Sequence, residues 1–189
     1  MVEHSEAFAH IRIILGILQG LSTATLLNGL ARFIHNPRKY RVYLPHLLWA
    51  LALLFSLLHF WWSEMALMSI SHWTFKLYLF AILYALGVYL ACAVLFPQDI
   101  EDYGGYHAYY MARRGWFFGL SAAMQILVLL DVTLGGPYHS SIKDHQLKLM
   151  EVAFFLPLFL LMMHTRNERL HYIVAACSLL AAVVMLLDN

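Results

Sequence analysis

Five polar side chains interrupt the apolar runs of this chain where they could line a pathway across a membrane. They are Asn28, His59, Gln125, Asp131 and Glu151. Ionisable groups inside apolar spans are costly and usually face the protein interior or water. His59, Asp131 and Glu151 each fall within about two turns of one end of a span, where they could form an outward-facing polar vestibule. The alternative is that each side chain snorkels to the interface or pairs with a neighbour.

Three histidines, His46, His164 and His171, lie at similar depth near the other ends of their spans. Imidazoles that face each other from different helices ligate a bis-histidine haem, so a haem or metal site is one hypothesis. Each histidine could equally stand at headgroup level or bond a backbone carbonyl. The second span holds both His46 and His59, but no other span carries a matching pair, which excludes a two-haem arrangement. Apart from this haem hypothesis, we expect no cofactor.

The third connection between spans is the most distinctive one, and it contains the segment DIEDYGGYHAYYMARRGWFFG. Residues 106–114 predict a short helix lying on the membrane surface, with Tyr109 and Tyr110 inserted and Arg113 and Arg114 at the headgroups. Its acidic start could also be a docking surface. Tyr109, Arg113 and Arg114 are therefore the candidates for binding a partner protein.

Motifs of catalysis are missing from the sequence. No glycine-rich loop precedes Lys-Ser or Lys-Thr, and no serine–histidine or glutamate–histidine motif has protease spacing. Cys92 and Cys177 lie inside apolar runs, where they read as small packing residues. We therefore assign no catalytic residue and do not expect an enzyme.

The composition places the chain in a membrane. Of its 189 residues, 62% are hydrophobic and only 12% are charged, and the mean hydropathy is +0.68. A soluble domain has about 45–50% apolar and about 25% charged residues. A soluble fold of this length could not bury so much apolar surface, so the natural solvent is the bilayer. The net charge of +1 gives no reason to expect nucleic acid as a partner.

Six apolar stretches are long enough to cross a bilayer as helices, which takes roughly 20 residues each. They lie near residues 9–31, 43–62, 74–96, 116–135, 147–164 and 170–187. Helices are expected because unpaired backbone groups are not tolerated in lipid. The sequence therefore predicts one all-α transmembrane domain, a six-span helical bundle over residues 1–189.

Lysine and arginine predict the direction of the spans. Eight of the 12 lie on the first, third and fifth connections: Arg32, Arg38, Lys39, Arg41, Arg113, Arg114, Arg166 and Arg169. The other four are Arg12, Lys76, Lys143 and Lys148. Cytoplasmic loops carry the excess of positive charge, so both termini should lie outside.

Aromatic and small residues give the ends and contacts of the spans. The segment FWWSE reads mainly as an interfacial belt of tryptophans, with Glu64 in the headgroup region. In the first span, one helix face holds Ser22, Thr25, Asn28, Gly29 and Arg32, which favours a helix-packing seam over a polar pathway lining. GLSTA in this span is similar to GLSAA in the fourth, which suggests an inverted repeat as a further hypothesis.

The order of YLPHLLWALALL, FWW, YLACAVLFP and RRGWFFGL resembles uncharacterised small multi-pass membrane proteins of bacteria, over residues about 15–135. The resemblance implies a bacterial inner-membrane protein and brings no activity or site with it. The leading function is transport of a small solute or ion, in the manner of a transporter or channel. Alternatives are a non-catalytic scaffold that holds a membrane-protein partner or a second copy, and a histidine-ligated haem redox protein.

Overall fold

The protein is an all-α bundle of six helices, each long and apolar enough to cross a membrane. A computed structural model describes residues 2–65, 73–133 and 142–187, and no strand occurs within these ranges. The helices are α1 (Val2–His35), α2 (Leu44–Ser63), α3 (Phe75–Leu95), α4 (Tyr106–Thr133), α5 (Ile142–His164) and α6 (Glu168–Leu187). The predicted fold class is confirmed: this is a multi-pass, helical integral membrane protein.

The bundle has two ends with different chemistry. The connections after α1, α3 and α5 lie at one end, which we call the basic end because it carries the predicted excess of lysine and arginine. The C-terminal ends of α2 and α4 and the N-terminal ends of α3 and α5 lie at the opposite end. Residues 66–72 and 134–141, which form most of the connections after α2 and α4, fall outside the described residues.

The prediction of a separate surface helix over residues 106–114 is wrong. These residues form the first turns of α4, which begins at Tyr106 rather than near 116. Gly104 and Gly105 adopt φ values of +70° and +130°, conformations that glycine adopts without steric cost. The turn lets the chain enter α4, where Tyr109 and Tyr110 are buried in the protein core instead of inserting into lipid.

Helix pairing does not follow chain order alone. α4 packs on α5, α2 packs on α6, and α3 contacts both α1 and α4. An inverted repeat would match the α1–α3 contact with an α4–α6 contact. α4 and α6 do touch, through the Tyr110–His171 hydrogen bond and the His107–Glu168 pair near the start of each helix, but less extensively than α1 and α3. The two contacts differ in extent, so the repeat stays a hypothesis.

Large aromatic rings fill the half of the bundle nearer the basic end. Trp49 of α2 lies 5.1 Å from the ring of Phe117, 5.5 Å from Phe118 and 6.2 Å from Phe159, between ring centroids. All four side chains are buried. Aromatic contacts at these distances add to the free energy gained from apolar packing. Aromatic side chains therefore fill the centre of this half of the bundle.

The polar face of α1 is mainly a packing seam, as the sequence favoured. Ser22 is buried, and its hydroxyl donates a hydrogen bond to the Leu18 carbonyl at 2.8 Å. Gly29 lies against the ring of Phe96, and Arg32 donates to the Pro97 carbonyl at 2.6 Å. Small residues permit such close approach between membrane helices. Asn28 is the exception, because its side chain is exposed on the outer surface of the bundle.

Candidate functional site

Ionisable side chains from α2, α4 and α5 lie in the half of the bundle nearer the opposite end. Asp131, in the last turn of α4, is only 7% exposed. His59 lies one turn from the end of α2 and is half-buried. Their helices place these groups in the protein interior rather than at the lipid surface, as expected for polar residues at such depth.

Glu151 of α5 is paired. Its carboxylate accepts a hydrogen bond from the Lys148 ammonium at 2.6 Å, and the two side chains are 25% and 34% exposed. Both charges also act electrostatically on His59 of α2. The Glu151 charge reaches Tyr84 of α3 as well. A charged pair on α5 is therefore brought close to two helices that are distant from it in sequence.

Gln125 lies deeper in α4, six residues before Asp131. Its side chain is partly buried, and its Oε1 atom is buried without a hydrogen-bond partner. A buried carbonyl oxygen without a partner costs free energy, and water or a bound solute would remove that cost. Of the five predicted pathway residues, His59, Asp131 and Glu151 lie at the opposite end, Gln125 lies deeper, and Asn28 lies apart.

A buried polar contact between α1 and α2 was missed by sequence reasoning. The Gln19 amide donates to the Glu64 carboxylate at 2.7 Å, and the two residues are 2% and 9% exposed. Glu64 lies directly after the last residue of α2, where the sequence placed it at headgroup level, and packing against α1 buries its carboxylate in the protein at that level. The signal was an amide in the middle of the first apolar run, which needs a partner in a membrane.

The environment of Glu64 changes its protonation. Burial raises the pKa of the Glu64 carboxyl above its usual range, while the hydrogen bond from Gln19 and the charge of Arg12 act in the other direction. Burial is the largest effect because it removes water from the ionised form. Glu64 is therefore an acid whose proton is held more tightly than in water.

The three candidate haem ligands are not brought together as a ligand set. His46 is fully buried, and its Nε2 donates to the Leu95 carbonyl at 2.7 Å. His171 uses both nitrogens, accepting from the Tyr110 hydroxyl at 3.0 Å and donating to the Thr165 carbonyl at 3.2 Å. His164 is exposed at the end of α5. No group of three potential metal ligands occurs among the described residues.

His46 retains one polar atom without a partner, its buried Nδ1. A cavity about the size of a single water molecule lies beside this ring, between α2, the end of α3 and α4. The rings of Phe96 and Tyr106 pack on the imidazole at centroid distances of 4.9 and 4.8 Å. The cavity has a volume of about 10 Å³, so it holds at most a single water.

The three candidate partner-binding residues make bonds within the chain. Tyr109 donates to the Val94 carbonyl at 2.5 Å, and Arg113 donates to the Tyr103 hydroxyl from two nitrogens, at 2.5 and 3.1 Å. Arg114 donates to the Thr165 carbonyl at 2.9 Å and also to the Met111 carbonyl. These bonds tie α4 to the connections at the basic end. They give the residues a structural use, although Arg113 remains exposed.

Comparison with known proteins adds no functional assignment. No protein-family model matches the chain, and neither the curated proteins nor the solved structures include a significant match. The function must therefore be argued from the geometry of the polar groups within the bundle.

Proposed function

We propose that this protein transports a small cationic solute or an ion across the bacterial inner membrane. The observation that carries the proposal is the position of Glu151, which is partly buried, paired with Lys148 and electrostatically coupled to His59 and Tyr84. Ionisable residues at membrane depth are rare, and they commonly mark substrate or ion pathways.

The buried carboxyl groups favour a cation as the transported species. Asp131, Glu64 and the partly buried Glu151 supply three carboxyl groups at this end of the bundle, whereas the basic side chains of Arg12 and Lys76 there are exposed and Lys148 is paired with Glu151. An isolated carboxylate in hydrocarbon would stay protonated or find another partner. A cation that enters between α2, α4 and α5 would instead be held by carboxylate oxygens and by the free Oε1 of Gln125.

The packed aromatic half supplies the barrier that a transporter needs. Trp49, Phe117, Phe118 and Phe159 close the path toward the basic end. Polar residues on one side of such a barrier fit the outward-facing state of an alternating-access cycle. Transport to the other side would require these rings to separate, so the described conformation is closed toward the basic end.

Flux through reconstituted protein tests the proposal. Full-length protein in proteoliposomes loaded with a Na⁺- or K⁺-sensitive dye should change the dye signal when an outward or inward gradient of that ion is imposed. Asp131→Asn and Glu151→Gln should each reduce this flux at least about tenfold, because each removes a charge from a weakly screened site. The matched control is Asp102→Asn, which changes an exposed carboxylate at the basic end.

Two results would overturn the proposal. One is wild-type protein whose ion flux equals that of protein-free vesicles under every gradient. The other is unchanged flux in Asp131→Asn and Glu151→Gln when both variants insert and remain monodisperse.

A further inference from the structure

One groove lies at the basic end, away from the carboxyl groups at the opposite end, and the proposed transport gives it no role. It lies between the start of α2 and the first turns of α6, and its volume is about 460 Å³. Volumes of this order are typical of sites for small ligands. Its walls are formed by Tyr43, Pro45, Glu168, Arg169, Tyr172 and Ile173.

The position of the groove matches the boundary between headgroups and hydrocarbon. Glu168 is the first residue of α6, and Leu44 is the first residue of α2, so both helices enter the membrane here. Leu44, Tyr172 and Ile173 are 46%, 46% and 55% exposed, respectively. Large apolar side chains turned away from the protein at a helix end face lipid.

Opposite charges flank the groove without pairing with each other. The Glu168 carboxylate contacts the Nε2 atom of His107 at 2.9 Å, and its side chain is 63% exposed. The Arg169 guanidinium is exposed and makes no hydrogen bond or ion pair with the described residues. One anionic and one cationic group therefore remain available to a ligand that carries both charges.

Tyr43 adds a hydrogen-bond donor to the groove wall. Its hydroxyl oxygen is buried and has no partner among the described residues. Burial, followed by the charge of Glu168, raises the pKa of Tyr43 to about 12, so the hydroxyl keeps its proton. A buried donor without a partner costs free energy until an acceptor reaches it.

We propose that this groove binds a phospholipid with a primary-amine headgroup, a phosphoethanolamine lipid of the adjacent leaflet. The phosphate accepts hydrogen bonds from Arg169 and Tyr43, the ammonium group donates to Glu168, and the acyl chains lie along Tyr172 and Ile173. A choline headgroup carries no N–H to donate to the carboxylate. A glycerol headgroup lacks the positive charge, so Glu168 disfavours it.

Native mass spectrometry tests this proposal with three defined lipids. Delipidated full-length protein is incubated with equal amounts of dioleoyl phosphatidylethanolamine, phosphatidylcholine and phosphatidylglycerol. We expect the ethanolamine adduct to exceed each of the others about three- to fivefold, the range for a solvent-accessible charged hydrogen bond.

The variants test the contact to the ammonium group and the contact to the phosphate separately. Glu168→Gln should bring the ethanolamine-to-choline ratio close to about one, because the amide no longer attracts the ammonium group. Arg169→Gln should weaken all three adducts, since all three lipids share the phosphate. Tyr43→Phe should do the same to a smaller extent. Arg166→Gln is the matched control, an exposed arginine three positions away that does not line the groove.

Equal adducts of the three lipids on the wild-type protein would overturn the proposal. So would an Arg166→Gln variant that weakens binding as much as Arg169→Gln, because that result would indicate nonspecific charge attraction. The wild-type lipid preference decides the question by itself even if Glu168→Gln fails to fold.

Discussion

Replacing Gly29 with alanine should destabilise the protein, because the added methyl group would clash with Phe96 at the end of α3. A Cβ atom built on Gly29 would lie 2.3–2.4 Å from three ring carbons of Phe96. Ordinary van der Waals contact begins near 3.4 Å, so the ring must move by about 1.1 Å (3.4 − 2.3 Å). Two of those atoms are Cδ1 and Cδ2 and the third is Cγ, so the clash falls near the base of the ring rather than at its tip.

Phe96 cannot move freely. It is 8% exposed, and its ring lies 4.9 Å from His46, 6.3 Å from Tyr106 and 6.4 Å from Phe33, between centroids. Overpacking a filled core costs about 1–3 kcal/mol. Alanine offsets part of this, because it is favoured over glycine in a helix by about 0.5–1 kcal/mol. We expect a net loss of about 1–2 kcal/mol in the free energy of unfolding.

Two other glycines of the same helix are matched controls. A Cβ at Gly16 or Gly20 meets nothing within 4 Å. Gly16→Ala and Gly20→Ala should therefore leave stability unchanged or raise it by up to about 1 kcal/mol. Unfolding by SDS in mixed micelles, followed by circular dichroism, measures all three variants.

A double variant locates the strain. Phe96→Leu removes ring atoms, so Gly29→Ala should cost less in that background than in the wild type, a coupling that a double-mutant cycle measures directly. If Gly29→Ala is as stable as Gly20→Ala, the close approach of α1 to Phe96 is not a feature of the folded protein.

Three further predictions concern topology, cofactor content and pH. Single cysteines are introduced at positions 38, 102 and 140 of a Cys177→Ser protein. The cysteine at 140 should react with a membrane-impermeant thiol reagent added outside, whereas those at 38 and 102 should not. The reverse labelling pattern would contradict the positive-inside orientation. Purified protein should be colourless even after haem is supplied, because both His171 nitrogens are already bonded; a Soret band that disappears in His46→Ala would refute this. Because burial raises the pKa of Glu64 above its ordinary value of 4.5, the contribution of Glu64 to stability should be greatest below pH 4.5 and fall as the pH rises through the raised pKa. Glu64→Gln should remove this part of the pH dependence, and an unchanged profile in SDS unfolding would count against burial of the carboxyl.

The sequence by itself determined the class of fold. Six apolar runs of sufficient length leave helices as the way to satisfy backbone hydrogen bonds in lipid, and each predicted run overlaps one of the six helices, although α1 and α4 begin earlier than predicted. Glycine and proline marked most of the breaks between spans. Gly104 and Gly105 mark the break before the fourth span, because they bend the chain directly into α4 and no separate surface helix precedes that span.

The tertiary structure alone decided which polar groups meet. Gln19 and Glu64 are 45 residues apart, and Tyr110 and His171 are 61 apart, yet each pair shares a buried hydrogen bond. In a membrane helix, lipid-facing and buried sides are both apolar, so hydropathy does not fix the rotation of the helix about its axis. That rotation is set by side-chain packing between neighbours, such as Gly29 on Phe96 and Trp49 among three phenylalanines. For this reason Asn28 and Asp131, both polar residues of apolar spans, end up on the bundle surface and in the bundle interior, respectively.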